Sequence, residues 1–360
     1  LAAISGKAPD AKLVDEHIAA LRQTLEKQPA DLTSRYALAR AYVAKGQTKE
    51  AEAELTRILE TAPGFAPANM AMALLRFSER RGDEAVEYLR AVVRTTPNDP
   101  QAHLLLAEYF ERTGNSTMAI EHYEAATRAA PARNDAKLRL AALYAQAGRL
   151  DEALPRARDV VDAAPRLAEA RYVLGDVHLR RGEAAEAAEA FSAALRLDPK
   201  HAGAQLGLGI AAEQRGETSR AIEAYARARQ LAPDDARPYN NGAWLLATQG
   251  KQLDEALSLA RKANELVASD KALAQWVPAM KDTLGFVHFK RGEYAQAEPL
   301  LRDAATRSPN VGTFHYHLAL TYERMGRRDD ARVSALRATR LDDKLAADPE
   351  VRELLKRVGG

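Results

Sequence analysis

The chain has 360 residues, 46% of them hydrophobic, 28% charged and 6% aromatic, with 52 Lys and Arg against 50 Asp and Glu and no cysteine. Charge balance without a Lys/Arg-rich run speaks against nucleic-acid binding, and the missing cysteine excludes disulfides, thiolate zinc sites and a cysteine nucleophile. No stretch approaches the roughly 18 apolar residues of a membrane-spanning helix, and abundant alanine with few aromatics suits closely packed helices, in two domains or one elongated array.

In chain order, the opening LAAISGKAPDAK lacks an initial methionine and reads as a cut fragment without a visible signal peptide, with 1–11 expected to be disordered. KLVDEHIAALRQTLEKQ, at 12–28, predicts a lone helix, the second half of a truncated repeat at 12–31. From there prolines recur at Pro29, Pro63, Pro97, Pro131, Pro165, Pro199 and Pro233, always 34 residues apart. Glycines keep the same period at Gly46, Gly114, Gly148, Gly182, Gly216 and Gly250, and an alanine follows five residues after most of them, as at Ala51, Ala119 and Ala187. YALARAYVAKGQ reads as an amphipathic helix stopped by glycine, and EAEAELTRILETAP as a second one stopped by proline. Small residues on both let the two helices approach, and such a unit must stack on its neighbours to bury its apolar face. The repeats are 32–65, 66–99, 100–133, 134–167, 168–201, 202–235, 236–270, 278–311 and 312–345.

Several places depart from the pattern. In repeat two the glycine slides to Gly82, which predicts a longer first helix and a shorter turn. Pro155 and Pro299 fall early in a second helix and predict mild bends. Gly242 stands where leucine is expected and predicts a void or extra flexibility. Pro233 and Pro309 are 76 residues apart, eight more than two repeats; one extra residue follows Gly250 and seven form an insertion at 271–277. A helical extension with a break near Pro278 is the favoured reading of that insertion, with Trp276 widening a binding groove beside Trp244. The competing reading is a tolerated insertion whose tryptophan fills a packing gap. The chain closes with a capping helix in 346–360, started by Asp348 and Pro349, whose Val351, Leu354 and Leu355 would cover the last repeat.

These features resemble the tetratricopeptide repeat (TPR) family over about 32–343. Repeat five carries the family pattern in Leu174, Gly175, Gly182, Ala187, Phe191, Ala194 and Pro199, with His178 in place of a tyrosine. Repeat three carries it in Leu106, Ala107, Phe110, Gly114, Ala119, Tyr123, Ala126 and Pro131. The resemblance implies an all-α solenoid of about nine units wound into a right-handed superhelix, whose first helices line a concave groove for extended protein or peptide segments. On that reading the groove residues are Tyr36 and Arg40; Met70, Leu74 and Phe77; Leu104 and Glu108; Arg139; Tyr172, Asp176 and Arg180; Leu206 and Ile210; Asn240, Asn241 and Trp244; Asp282, Phe286 and Phe289; and Tyr316 and His317. The competing reading has several of them packing between helices. The side-chain amides of Asn240 and Asn241 suit hydrogen bonding to an extended backbone, and equally suit a helix start. The Lys and Asn set with which some relatives clamp an acidic C-terminal tail is absent.

The histidines are scattered, His178 and His288 read as core-edge residues, and His315 and His317 diverge on one helix without a helical partner. No phosphate loop or metal-ligand spacing emerges, so no cofactor and no enzyme activity are expected. The C-terminal third, with NNGAWLLATQGKQLDEALSLARKANEL and DTLGFVHFKRGEYAQAEPLLRDAATRSPN, resembles TPR lipoproteins of bacterial PEP-CTERM/exosortase exopolysaccharide systems. That likeness implies a periplasmic or outer-membrane-anchored scaffold recruiting partners of an exopolysaccharide or surface-protein export machine. The alternatives are a cytoplasmic chaperone-like or regulatory module, or an accessory domain of a larger enzyme. Partner identity and oligomeric state are not encoded legibly.

Overall fold

A computed structural model describes residues 11–359; residues 1–10, most of the segment expected to be disordered, lie outside the described residues, and Ala11 begins the first helix. Among the described residues all regular structure is helical. Contacts divide the chain into two compact units, one ending at Pro165 and one beginning at Arg166. Within each unit, helices pack mainly on their sequence neighbours, so the core is distributed along the repeats.

In the first unit the lone helix Ala11–Lys27 is followed by the pairs Leu32–Ala44 with Thr48–Thr61, Ala66–Ser78 with Gly82–Thr95, Pro100–Arg112 with Ser116–Ala129, and Asn134–Gln146 with Leu150–Ala163. The second unit holds Ala168–Arg180 with Ala184–Leu197, Ala202–Gln214 with Thr218–Leu231, Ala236–Gln249 with Leu253–Ser269, Val277–Lys290 with Tyr294–Arg307, and Gly312–Arg324 with Arg328–Leu341. We call these the A and B helices of repeats one to nine. Asp343–Ala347 and Pro349–Gly359 end the described chain.

The small residues have a steric cause. Ala51, Ala85, Ala119, Ala153, Ala187, Ala221, Ala256, Ala297 and Ala331, one near the start of each B helix, are all fully buried. In repeats five and six the A helix carries a glycine opposite the large B-helix residue: a Cβ at Gly209 would lie 2.5 Å from the Tyr225 ring, and one at Gly175 would lie 2.7 Å from Phe191. Tyr225 and Phe191 are themselves almost fully buried, each contributing about 2–3 kcal/mol of apolar burial. A second device ties repeat to repeat. Asn69 Nδ2 donates to the carbonyl of Pro63 at 2.9 Å, and the Nε2 atoms of His103 and His315 meet the carbonyls of Pro97 and Pro309 at 2.9 and 3.0 Å. Each anchor sits fourth in its A helix, and each acceptor closes the preceding repeat.

The departures resolve differently from the sequence expectations. In repeat two the A helix is not lengthened: Ala66–Ser78 has 13 residues, like its neighbours, and Arg80 takes the left-handed turn conformation at φ 62° where other repeats place glycine. Gly82 instead opens the B helix, where a Cβ would lie 2.5 Å from the Tyr109 ring. Pro155 and Pro299 lie sixth in uninterrupted helices, so each removes one amide beyond the free first turn. No void opens at Gly242, because the Arg229 guanidinium fills the space: a Cβ there would lie 2.8 Å from its Nη1. The insertion is not an α-helical extension. Lys271–Trp276 is a 3-10 helix capped by Asp270, whose side chain accepts from the Ala272 amide at 2.8 Å. Pro278 has no N–H to bond back to Ala274, so an α-helix through this segment would lose that bond. At the C-terminal end Asp348 Oδ1 accepts from the Glu350 amide at 2.7 Å, and Val351, Leu354 and Val358 are buried. Leu354 and Val358 pack with Leu318, Tyr322 and Ala335 of repeat nine, with Leu355 partly buried beside them.

Candidate functional site

Within the second unit, the A helices of repeats six to eight and the start of repeat nine border a cleft of about 650 Å³. Repeat six contributes Ile210, Glu213 and Gln214; repeat seven Asn240, Asn241 and Trp244; repeat eight Ala279, Asp282, Thr283 and its last residue Val311; and the start of repeat nine Thr313 and Phe314. Spacing of three and four residues brings these side chains to one face of each helix.

Behind the cleft lies an aromatic and ionic floor. The Trp244 ring centroid is 4.8 Å from Phe286 and 5.4 Å from His317, and Phe286 is 4.5 Å from His317. His317 Nδ1 lies 2.9 Å from both carboxylate oxygens of Asp282, which belongs to the preceding repeat. Asp282, Phe286 and His317 are only 4%, 7% and 3% exposed, so Phe286 and His317 support Trp244 from inside the wall, while Asp282 still borders the opening. Thr321 Oγ1 donates to the His317 carbonyl at 2.9 Å and extends this floor along repeat nine. At the other wall the Tyr225 hydroxyl donates to Glu213 Oε2 at 2.6 Å and also engages the Asn241 side chain. Burial first, and then the Glu213 carboxylate, holds the Tyr225 phenol well above its usual range. Asn240 Oδ1 is buried without a hydrogen-bond partner. No Lys or Arg lines the cleft.

The other sequence candidates lie elsewhere. Tyr316 is half-buried, its ring 5.9 Å from His317 and its phenol pushed up to about 12, chiefly by burial. Phe289 stacks on Phe286 at 6.0 Å. Tyr172 packs against His201 at 4.7 Å, and Asp176 pairs with Arg180 at 2.7 Å, all outside the cleft lining. Leu206 is buried in the core around Tyr225. In the first unit Tyr36 packs edge-on against Phe65, Phe77 lies 6.0 Å from Tyr109, Leu104 is buried, and Met70 is half-buried. Leu74, Arg40, Glu108 and Arg139 are exposed, with Arg139 3.9 Å from Glu111. Trp276 is 41% exposed and borders a separate cavity of about 210 Å³ with Val267, Leu273 and Met280, so it does not join Trp244.

Reasoning from sequence missed Glu213, Gln214, Thr313 and Phe314. Glu213 and Gln214 occupy the twelfth and thirteenth places of an A helix, two groove positions of the pattern, so the signal was present. Two buried histidines pair locally, His178 with Glu183 and His288 with Glu293, each at 2.6 Å. Among the described residues no cluster of three or more His, Asp or Glu could hold a metal, and no helix is long and apolar enough to cross a membrane.

Two tetratricopeptide repeat models match the sequence. One matches at 70–134, 114–168, 138–202, 172–236 and 206–271, together more than half of the chain, and the other at 4–75 and 288–358. The chain belongs to the tetratricopeptide repeat family. This TPR chain superposes on the crystal structure of the APC/C hetero-tetramer Cut9-Hcn1 with a TM-score of 0.63 at 17% identity, covering 96% of this chain and 66% of that one, just under two thirds. It also superposes on a tetratricopeptide repeat protein from Parabacteroides merdae ATCC 43184, with a TM-score of 0.52 at 17% identity, covering 72% of this chain and 99% of that one. At such identities the likeness is one of fold. No curated protein matches the sequence significantly. The TPR fold is a scaffold for protein–protein interaction.

Proposed function

We propose that this TPR protein is a non-catalytic scaffold that holds an extended segment of a partner protein in the cleft of repeats six to nine. The carrying observation is Trp244, braced by Phe286 and His317 and set beside two asparagine side chains in an open cleft. A braced aromatic presents apolar area at little entropic cost, and amides bond a backbone without reading its side chains.

The partners, on this proposal, belong to a bacterial exopolysaccharide or surface-protein export machine, with the protein working in the periplasm or anchored at the outer membrane. Its support is the sequence likeness of the C-terminal third to TPR lipoproteins of such systems. Affinity capture from the native host tests the first part. Trp244→Ala combined with Asn241→Ala should lose the partners that the unsubstituted protein retains, with helicity by circular dichroism unchanged. Retention of the same partners would show that the cleft is not the docking site. Fractionation of host cells tests the second part: recovery in the cytosol would refute the envelope location.

A further inference from the structure

We infer that the segment taken by this cleft is cationic, carrying Lys or Arg at the residue seated against Trp244. The inference rests on the reading of the cleft as a peptide site and specifies its ligand. The lining carries two carboxylates, Glu213 and Asp282, and no ammonium or guanidinium group. Glu213 receives one hydrogen bond from Tyr225 and keeps acceptor capacity on its other oxygen. A charged donor from the incoming segment suits that carboxylate, and Arg and Lys supply one where Asp and Glu do not. Trp244 supplies the third element, since a cation over an indole face gains attraction that grows as water is excluded.

Asp282 is engaged by the His317 imidazole, 2.9 Å from both its oxygens, so Glu213 sets the bias, and the neighbouring Lys and Arg side chains do not cancel it. Lys281 is spent on Asp303, and Lys290 lies over the Phe286 ring at 5.2 Å, outside the residues that line the cleft. Arg229 fills the space beside Gly242, also outside that lining. An acidic segment would lose its hydration facing Glu213 and gain no positive partner in return.

The test uses four fluorescein-labelled nonapeptide mixtures, degenerate except for a fixed central Arg, Lys, Gln or Glu, read by fluorescence anisotropy against the full chain. Arg and Lys mixtures should bind at least about tenfold tighter than the Glu mixture, and the preference should shrink severalfold between about 50 and 300 mM salt. Glu213→Gln, whose amide oxygen can still accept from Tyr225, should reduce the preference for Arg over Gln by about threefold or more. Binding of the Gln or Glu mixture as tight as that of Arg, still abolished by Trp244→Ala, would overturn the cationic assignment and leave the peptide site standing. Failure of every mixture to bind, or binding insensitive to Trp244→Ala, would overturn both.

Discussion

Asp282 and His317 are each more than nine-tenths buried and hold each other across two repeats, so removing one strands the other. Asp282→Ala should destabilise the second unit by about 3–5 kcal/mol in urea unfolding, and Asp282→Asn, which keeps an acceptor for the imidazole, by clearly less. Near-ultraviolet circular dichroism should report the same lesion, because Trp244 leans on that imidazole. The pair was invisible in the sequence because helical spacing searches within one helix, whereas these residues are 35 positions apart, at the fifth place of one repeat and the sixth of the next. Gly242 tells a similar story. Its lack of a side chain is legible, but the guanidinium that fills the space arrives from Arg229 in the preceding repeat, and burial holds that group below its usual range. Gly242→Leu should cost about 1–3 kcal/mol by overpacking, and Arg229→Ala in the same chain should restore most of it. A thermal-melt double-mutant cycle measures the coupling; additive effects would show that the two do not share the space.

At the scale of elements, repeat two shows how a turn survives without its glycine. Arg80 bears the left-handed strain, so Arg80→Gly should stabilise the first unit by up to about 1 kcal/mol. Gly82→Ala should destabilise it by about 1–3 kcal/mol, because the Tyr109 ring must move. Equilibrium unfolding of the two variants in opposite directions checks the assignment. The A and B helices of repeat three are bridged by His103 and His122, whose Nδ1 atoms lie 3.0 Å apart. Burial, followed by the neighbouring His103, pushes the His122 imidazole down to about 4. Folding therefore favours its neutral form, while the unfolded chain binds a proton near pH 6.5. This contribution is complete above about pH 6.5 and is lost progressively as the pH falls towards about 4. His122→Gln should flatten that part of the stability–pH curve; an unchanged slope would remove His122 as its source. Element type and boundaries were largely legible, since glycine, alanine and proline mark them by steric necessity. The 3-10 form of 271–276 was not, because its choice depends on a single missing amide at Pro278 weighed against helix propensity.

For the whole molecule, nearest-neighbour stacking means that each end of an array must be sealed. Pro349–Gly359 seals repeat nine through Leu354 and Val358 against Leu318, Tyr322 and Ala335. Deleting 349–359 should expose that apolar face, lower the melting temperature of the second unit and promote concentration-dependent association in sedimentation experiments. Hydrogen exchange should accelerate first in Gly312–Arg324 and Arg328–Leu341, and uniform acceleration along the second unit would show that its repeats unfold as one block. The repetitive architecture was readable because its constraints recur every 34 residues. The cleft was only partly readable: Asn240, Asn241, Trp244 and Asp282 are brought together, while Tyr172, Arg139 and Tyr36 do not line it.

The anchors at Asn69, His103 and His315 bear on how such a chain is inherited. Each reaches back six residues to a proline that ends the previous repeat. A genetic crossover at the boundary between repeats therefore separates donor from acceptor, and joins each to a stranger. A crossover inside a B helix transfers both together, along with the turn between them. Duplication in that shifted frame yields a cassette that arrives with its own clasp. At these three junctions the segment that carries its own clasp is half a repeat out of step with the unit that folds.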